Sequence, residues 1–109
     1  MNTKHDEDSY WQPRVMRHVR DTGEEEFAIH EVYFTAQGDI TGYTDDALSM
    51  REPTVEKLRE KIVQLLQESP DGEVIGDLSY TYHEDDIQLW LSHIDDPVID
   101  YANGQILEN

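Results

Sequence analysis

Histidines and carboxylates are the side chains of this 109-residue chain that could do chemistry, and five histidines are present. Histidine binds metals and acts as a general base, but a zinc site needs at least three converging ligands. His30-Glu31 lacks the second histidine of an H-E-x-x-H motif. His18 and His30 lie on different predicted strands and not obviously opposite each other, and His83 and His93 flank a predicted helix. We therefore predict no metal site and no cofactor.

Adjacent acids are frequent, as in Asp45-Asp46, Glu84-Asp85-Asp86 and Asp95-Asp96. General acid–base catalysis needs two carboxylates in a pocket that separates their pKa values, whereas adjacent acids at a helix end are usually solvated. None of these runs has the alternating spacing of a calcium-binding loop. The chain also lacks cysteine, a G-x-S-x-G motif and glycine-rich phosphate loops. We therefore predict no catalytic residue and a protein that is not an enzyme.

The elements that must position these side chains form one domain of mixed type. Apolar alternation predicts strands, and apolar residues at helical spacing predict helices. The fold class expected is α+β, with a three- to four-stranded antiparallel sheet (a β-meander) packed against one or two helices. The predicted strands cover Tyr10–Arg20, Phe27–Phe34, Ile40–Thr44 and Glu73–Tyr82, the predicted helices cover Thr54–Gln67 and 85–95, and Val98-Ile99 is predicted to dock as a short extended piece.

The predicted domain runs over residues 10–101, with flexible ends at 1–9 and 102–109. No apolar stretch resembles a signal peptide or a membrane span, so we expect a soluble, cytoplasmic protein. Six tyrosines, two tryptophans and two phenylalanines supply large burial areas. Six of them could form a binding platform, but in a small domain such residues more often form the core; they are Trp11, Tyr33, Tyr43, Tyr80, Tyr82 and Trp90.

The charge is the outlying property, with a formal net charge of −17. Residues 1–35 hold eight acids and four bases, residues 36–69 hold seven and four, and residues 70–109 hold ten acids with no lysine or arginine. Such a field repels nucleic-acid phosphates and anionic lipids. We therefore expect no nucleic-acid or membrane binding. The partner expected is a protein with a basic surface, bound by an acidic face of Asp71, Glu73, Asp77, Glu84, Asp85, Asp86, Asp95, Asp96 and Asp100.

The basic cluster of Arg14, Arg17 and Arg20 is split between the two faces of the predicted hairpin, since residues 14 and 17 differ in parity. We interpret these arginines as cross-strand partners of Glu24–Glu26 and Glu31.

Four short motifs resemble a group of short, uncharacterised bacterial proteins. The matching segments are W-x-x-R-V-x-R from Trp11, I-H-E-V-Y-F from Ile29, G-x-x-x-G-Y-T from Gly38 and P-V-I-D from Pro97. The resemblance supports the fold expected above and a bacterial or phage origin, and it assigns no activity. In that group the helix runs almost directly into P-V-[IL]-D, so residues 67–96 look like an acidic insertion.

Three functions remain open from the sequence. The first is a regulator or inhibitor that binds another protein through its acidic surface. The second is a nucleic-acid mimic whose carboxylates replace phosphates, as in an anti-defence protein of a phage or mobile element. The third is an antitoxin-like partner protein.

Overall fold

The computed structural model describes residues 9–68 and 84–107. These residues form a four-stranded sheet and two helices, which confirms the α+β class. The sheet has the order β3-β2-β1-β4. Its strands are β1 Tyr10–Val19, β2 Glu25–Phe34, β3 Ile40–Tyr43 and β4 Ile99–Asp100, and its helices are α1 Val55–Glu68 and α2 Glu84–His93.

The three N-terminal strands form the predicted antiparallel meander, but the fourth strand makes the sheet mixed. In β4, Ile99 pairs in parallel with Met16 of β1. Tight turns join only antiparallel strands, whereas a longer connection through a helix allows parallel pairing. Here α2 precedes β4, and the predicted extended piece at Val98-Ile99 becomes this strand. The predicted strand Glu73–Tyr82 lies outside the described residues.

The β1–β2 hairpin determines which side chains share a face. Its register places Val15 opposite Ile29 and Met16 opposite Ala28. The turn between the two strands contains Gly23 with a φ of 92°, a conformation that glycine tolerates best. Val15 and Ile29 pack into a core with both helices, while Met16 packs with Val32, Phe34 and Ile99 on the other face. The hairpin thus carries apolar residues on both faces, as is typical of a strand inside a sheet.

Both helices cover the Val15–Ile29 face through their predicted apolar stripes. Helix α1 buries Leu58 and Ile62 completely, and its first amides are capped by Thr54 Oγ1, which accepts a hydrogen bond from Lys57 N at 3.0 Å. Helix α2 buries Ile87 and Trp90 in the same core.

Residues 47–52 continue the sheet edge beyond β3. Leu48 N donates to Ile29 O at 2.7 Å, and Phe27 and Glu52 exchange two backbone hydrogen bonds. Ser49 is buried, and its Oγ accepts a hydrogen bond from Ile29 N at 2.9 Å. Because this segment pairs with the first half of β2, it satisfies backbone groups that the short β3 leaves uncovered.

The face opposite the helices is closed by the chain after β4. Tyr43 donates its hydroxyl to Tyr101 O at 2.6 Å, and Leu107 N donates to Val98 O at 2.7 Å. Between these contacts, Gly104 turns with a φ of 70°.

Candidate functional site

All five arginines of the sequence lie in the described residues, and each one contacts a carboxylate. Two of the predicted hairpin pairs form, since Arg17 Nη1 lies 3.1 Å from Glu25 Oε2 and Arg20 Nε lies 3.5 Å from Glu26 Oε1. The remaining contacts are Arg14–Asp96, Arg17–Asp100, Arg51–Glu26 and Arg59–Asp95. Each guanidinium group thus has a carboxylate within 4 Å, and the Arg20 and Arg59 side chains remain 60 % and 40 % exposed.

Arg14 is the most buried of these arginines, with 6 % of its surface exposed. Its Nη2 donates to Pro97 O at 2.7 Å, its Nε lies 3.8 Å from Asp96 Oδ2, and its guanidinium lies 5.6 Å from the centre of the Phe34 ring. Burial lowers the pKa of Arg14 from its ordinary value, and Asp96 opposes this shift. Arg14 therefore ties β1 to the chain before β4 instead of pairing with Glu31.

The residues of the predicted acidic face lie in different environments. Glu84, Asp85 and Asp86 are exposed in the first turn of α2, where the helix dipole favours negative charge. Asp95 pairs with Arg59, and Asp96 accepts a hydrogen bond from His93 Nδ1 at 2.8 Å. The remaining acids of that set before α2, which are Asp71, Glu73 and Asp77, lie outside the described residues.

Asp100 is buried, with 8 % of its surface exposed. Its Oδ2 accepts a hydrogen bond from Arg17 Nη2 at 3.0 Å, and its Oδ1 accepts one from Ala102 N at 3.0 Å. Both carboxylate oxygens thus bind groups of the chain itself, so Asp100 stabilises the junction of β1 and β4.

The histidines hold an arrangement that sequence reasoning missed. His18 and His30 lie opposite Glu26 and Arg14 in the hairpin register, yet their Nε2 atoms lie 2.9 Å apart in the interior. Both residues are on the same face as Ala28, whose short side chain leaves space between them. Positions 18 and 30 are both even-numbered, so this hairpin register places both side chains on the same face of the sheet. That shared face was the sequence signal for the contact.

A backbone carbonyl and an aromatic ring lie next to the histidine pair. His30 Nδ1 lies 2.9 Å from Thr44 O, and the Tyr101 ring stacks on His18 with a centroid distance of 4.2 Å. A neutral imidazole has one N–H donor and one acceptor. One proton between the Nε2 atoms therefore gives the pair a single hydrogen bond. Within residues 9–68 and 84–107, no group of three potential ligands converges on a metal position.

The aromatic residues divide into a core set and an exposed set. Trp90 is buried on α2, and Tyr43 packs beside the Met16 core, while Tyr80 and Tyr82 lie outside the described residues. In contrast, Tyr10, Trp11 and Tyr33 expose 41 %, 48 % and 39 % of their surface. Sequence reasoning weighted the core interpretation for Trp11 and Tyr33, and the structure places both at the surface.

These three exposed side chains, which we call the aromatic patch, lie where β1 begins and β2 ends. Trp11 is opposite Tyr33 in the register, and Tyr10 stacks on Phe34 with a centroid distance of 5.1 Å. They line an open pocket of about 240 Å³ together with Ser9, Phe34 and Thr41. Trp11 and Tyr33 thus lie side by side on one face of the hairpin, while Tyr10 lies with Phe34 on the other face.

A carboxylate fixes one wall of the aromatic patch. Tyr33 Oη donates to Glu31 Oε1 at 2.6 Å. This hydrogen bond raises the pKa of Tyr33 above its ordinary value, with desolvation and the Glu31 charge adding to the effect. The phenol therefore stays protonated and oriented, and the Glu31 carboxylate stays beside the patch.

Neither of the helices in the described part of the chain is long and apolar enough to cross a membrane. The fold and these surfaces define an α+β domain with surplus acidic charge and an exposed aromatic patch. Comparisons with protein family models, with curated proteins and with solved structures find no match to this chain.

Proposed function

We propose that this protein is not an enzyme but a binding protein, which regulates or inhibits a partner protein by docking on that partner's basic surface. The observation that carries the proposal is the pairing of all five arginines with carboxylates. Ion pairing leaves the net charge of −17 unchanged, so the carboxylates in excess of the bases produce a field that attracts basic partners.

Within the predicted acidic face, the first turn of α2 is the best candidate for contact with the partner. Glu84, Asp85 and Asp86 are adjacent in sequence and all three are exposed, whereas Asp96 is only partly exposed and Asp100 is buried. Binding at the α2 turn would bring three carboxylates to a basic groove. We therefore propose a narrower face than the sequence suggested, centred on the α2 turn; Asp71, Glu73 and Asp77, which lie outside the described residues, remain part of the sequence-based proposal.

The nucleic-acid mimic is one specific form of this function. It requires carboxylates that stand in for phosphates, and among the described acids of the set those of the α2 turn are best placed for this role. The antitoxin-like alternative requires a toxin as partner and places no demand on phosphate-like spacing. The identity of the partner distinguishes the general regulator or inhibitor, the nucleic-acid mimic and the antitoxin-like protein.

The proposed function is tested by capture of partners from the native host, followed by mass spectrometry and direct binding to each purified candidate. The test variant is the triple neutralisation Glu84→Gln, Asp85→Asn and Asp86→Asn. The matched control is the triple neutralisation Asp21→Asn, Glu24→Gln and Asp46→Asn, which removes the same charge from three other exposed positions. Because acids stabilise a helix N-terminus by about 0.3–1 kcal/mol each, thermal unfolding of both variants is measured alongside binding.

We expect a basic partner whose binding weakens more in the α2 variant than in the control and falls as salt rises, because salt screens exposed charges. Displacement of the partner by duplex DNA identifies the mimic, and capture of a toxin identifies the antitoxin. Equal retention of every partner at about 1 M salt, where the Debye length is about 3 Å, contradicts the function proposed here.

A further inference from the structure

Packing of the two hydrophobic cores does not explain why the aromatic patch of Tyr10, Trp11 and Tyr33 is exposed. Trp11 and Tyr33 are exposed cross-strand neighbours on one face of the hairpin, and Tyr10 is exposed at the same end on the other face, whereas the two cores are built from other residues. Exposed tryptophan and tyrosine are costly to leave in water and are the residue types enriched at binding hot spots. The patch therefore has the composition of a recognition site.

The charge around the aromatic patch is negative. Glu31 holds its carboxylate beside Tyr33 through the 2.6 Å hydrogen bond, and the exposed Asp39 lies in the turn whose Gly38 adjoins the Tyr10 hydroxyl. Arg14, which contacts the Phe34 ring, is buried and engaged with Pro97 and Asp96. An incoming positive charge thus meets carboxylates at the rim of the aromatic surface.

We propose that the aromatic patch binds an arginine side chain in an extended basic segment of the partner protein. A guanidinium is planar, so it stacks on aromatic faces and donates hydrogen bonds to a carboxylate at the same time. Trp11 and Tyr33 supply the faces and Glu31 supplies the acceptor, because Tyr33 occupies only one of the roughly four acceptor positions of that carboxylate. This inference rests on the proposed function and identifies the contact that gives it specificity.

The test is a titration of the ¹⁵N-labelled full chain with two blocked peptides, in which glycines alternate with arginines in one and with lysines in the other. The protein has two tryptophans, so its spectrum has two indole N–H signals. Trp11 is half exposed and Trp90 is buried on α2. We expect the arginine peptide to shift the Trp11 signal and to leave the Trp90 signal in place.

Variants assign the contact, with the Kd of each variant read from its backbone amide signals. We expect Trp11→Ala and Tyr33→Ala each to raise the Kd of the arginine peptide about fivefold, which corresponds to about 1 kcal/mol. Leu89→Ala is the matched control, because Leu89 on α2 exposes 39 % of its surface, as much as Tyr33 does. We expect no change in Kd for this control. Retention of the Trp90 signal shows that each variant is folded.

Equal affinity for the arginine and lysine peptides overturns the assignment of arginine. An unchanged Kd in Trp11→Ala and Tyr33→Ala overturns the patch as the site. If, in addition, the α2 triple variant loses the peptide, the acidic function stands and only the location is wrong. Failure of the proposed function itself has a different signature, which is the capture of no basic partner from the host.

Discussion

Replacement of Asp100 by asparagine tests whether this acid stabilises the fold or belongs to a binding surface. The asparagine side chain would retain an oxygen for the Ala102 amide, so the change removes mainly the charge that faces Arg17. We expect Asp100→Asn to lower the free energy of unfolding and to leave partner binding unchanged in the folded protein.

The magnitude follows from the geometry of the ion pair. Arg17 Nη2 and Asp100 Oδ2 are 3.0 Å apart, with side-chain exposures of 27 % and 11 %. Unit charges about 4 Å apart attract by about 4 kcal/mol at an effective dielectric constant of about 20. Arg17 keeps Glu25 as a second partner at 3.1 Å and stays partly solvated, so we expect a net loss of about 2 kcal/mol. For a domain of this size that is a decrease in Tm of roughly 10 °C.

A double-mutant cycle isolates the pair from the rest of the junction. Unfolding by urea, followed through the buried Trp90, gives free energies for Arg17→Met, for Asp100→Asn and for the double variant. We expect a coupling energy of about 1–2 kcal/mol, because the residues are in contact. Additivity within about 0.5 kcal/mol, or weaker partner binding by a fully stable Asp100→Asn protein, would refute the structural role of Asp100.

Three further substitutions or titrations follow from single contacts. Ser49→Ala leaves the buried Ile29 N–H without its side-chain acceptor, and we expect denaturant unfolding to show a loss of about 1–3 kcal/mol; no measurable loss would contradict that accounting. Thr54→Ala removes the α1 cap, and we expect a loss of about 1 kcal/mol that Thr54→Ser largely restores. The hydrogen bond to Glu31 is the main cause of the raised Tyr33 pKa, so the Tyr33 phenol should lose its proton at higher pH than a free tyrosine. An NMR titration of the tyrosines should show that Glu31→Gln reduces this difference. The raised pKa also sets the sign of the effect on stability. The stabilisation is present below the pKa of unfolded tyrosine, about 10, and is lost as the pH rises through the pKa of Tyr33 in the folded protein. Ionisation of Tyr33 at the ordinary pH of tyrosine in the folded protein would contradict this prediction.

The fold was largely predictable because its elements carry strong local signals. The apolar stripe of α1 and the Asp21-Thr22-Gly23 turn specify a helix and a hairpin without reference to the rest of the chain. The parallel pairing of Ile99 with Met16 was not predictable in the same way. A two-residue strand has no periodicity of its own. Its partner strand is therefore decided by where the chain emerges from the end of α2.

The candidate sites were less predictable, because burial and ion pairing depend on tertiary contacts. Asp95, Asp96 and Asp100 look alike in sequence as acids of a charged segment, yet Arg59, Arg14 and Arg17 neutralise them from distant elements. Partner choice of this kind is set by packing and leaves no local pattern.

The same limit applies to the aromatic residues. The sequence does not show which of Trp11 and Trp90 is covered, because the position of the helices over the sheet decides this. Exposure at the end of the hairpin is therefore a property of the assembled fold.

The α2 turn and the aromatic patch should affect binding at different kinetic steps. Exposed carboxylates act over distance, so neutralising Glu84, Asp85 and Asp86 should lower the association rate constant and its salt dependence. Trp11 and Tyr33 act only in contact, so their truncation should raise the dissociation rate constant and leave association nearly unchanged. Surface plasmon resonance with the identified partner measures both constants. If truncation of Trp11 slowed association as much as the acidic variant does, the patch would act before contact forms, which stacking cannot do.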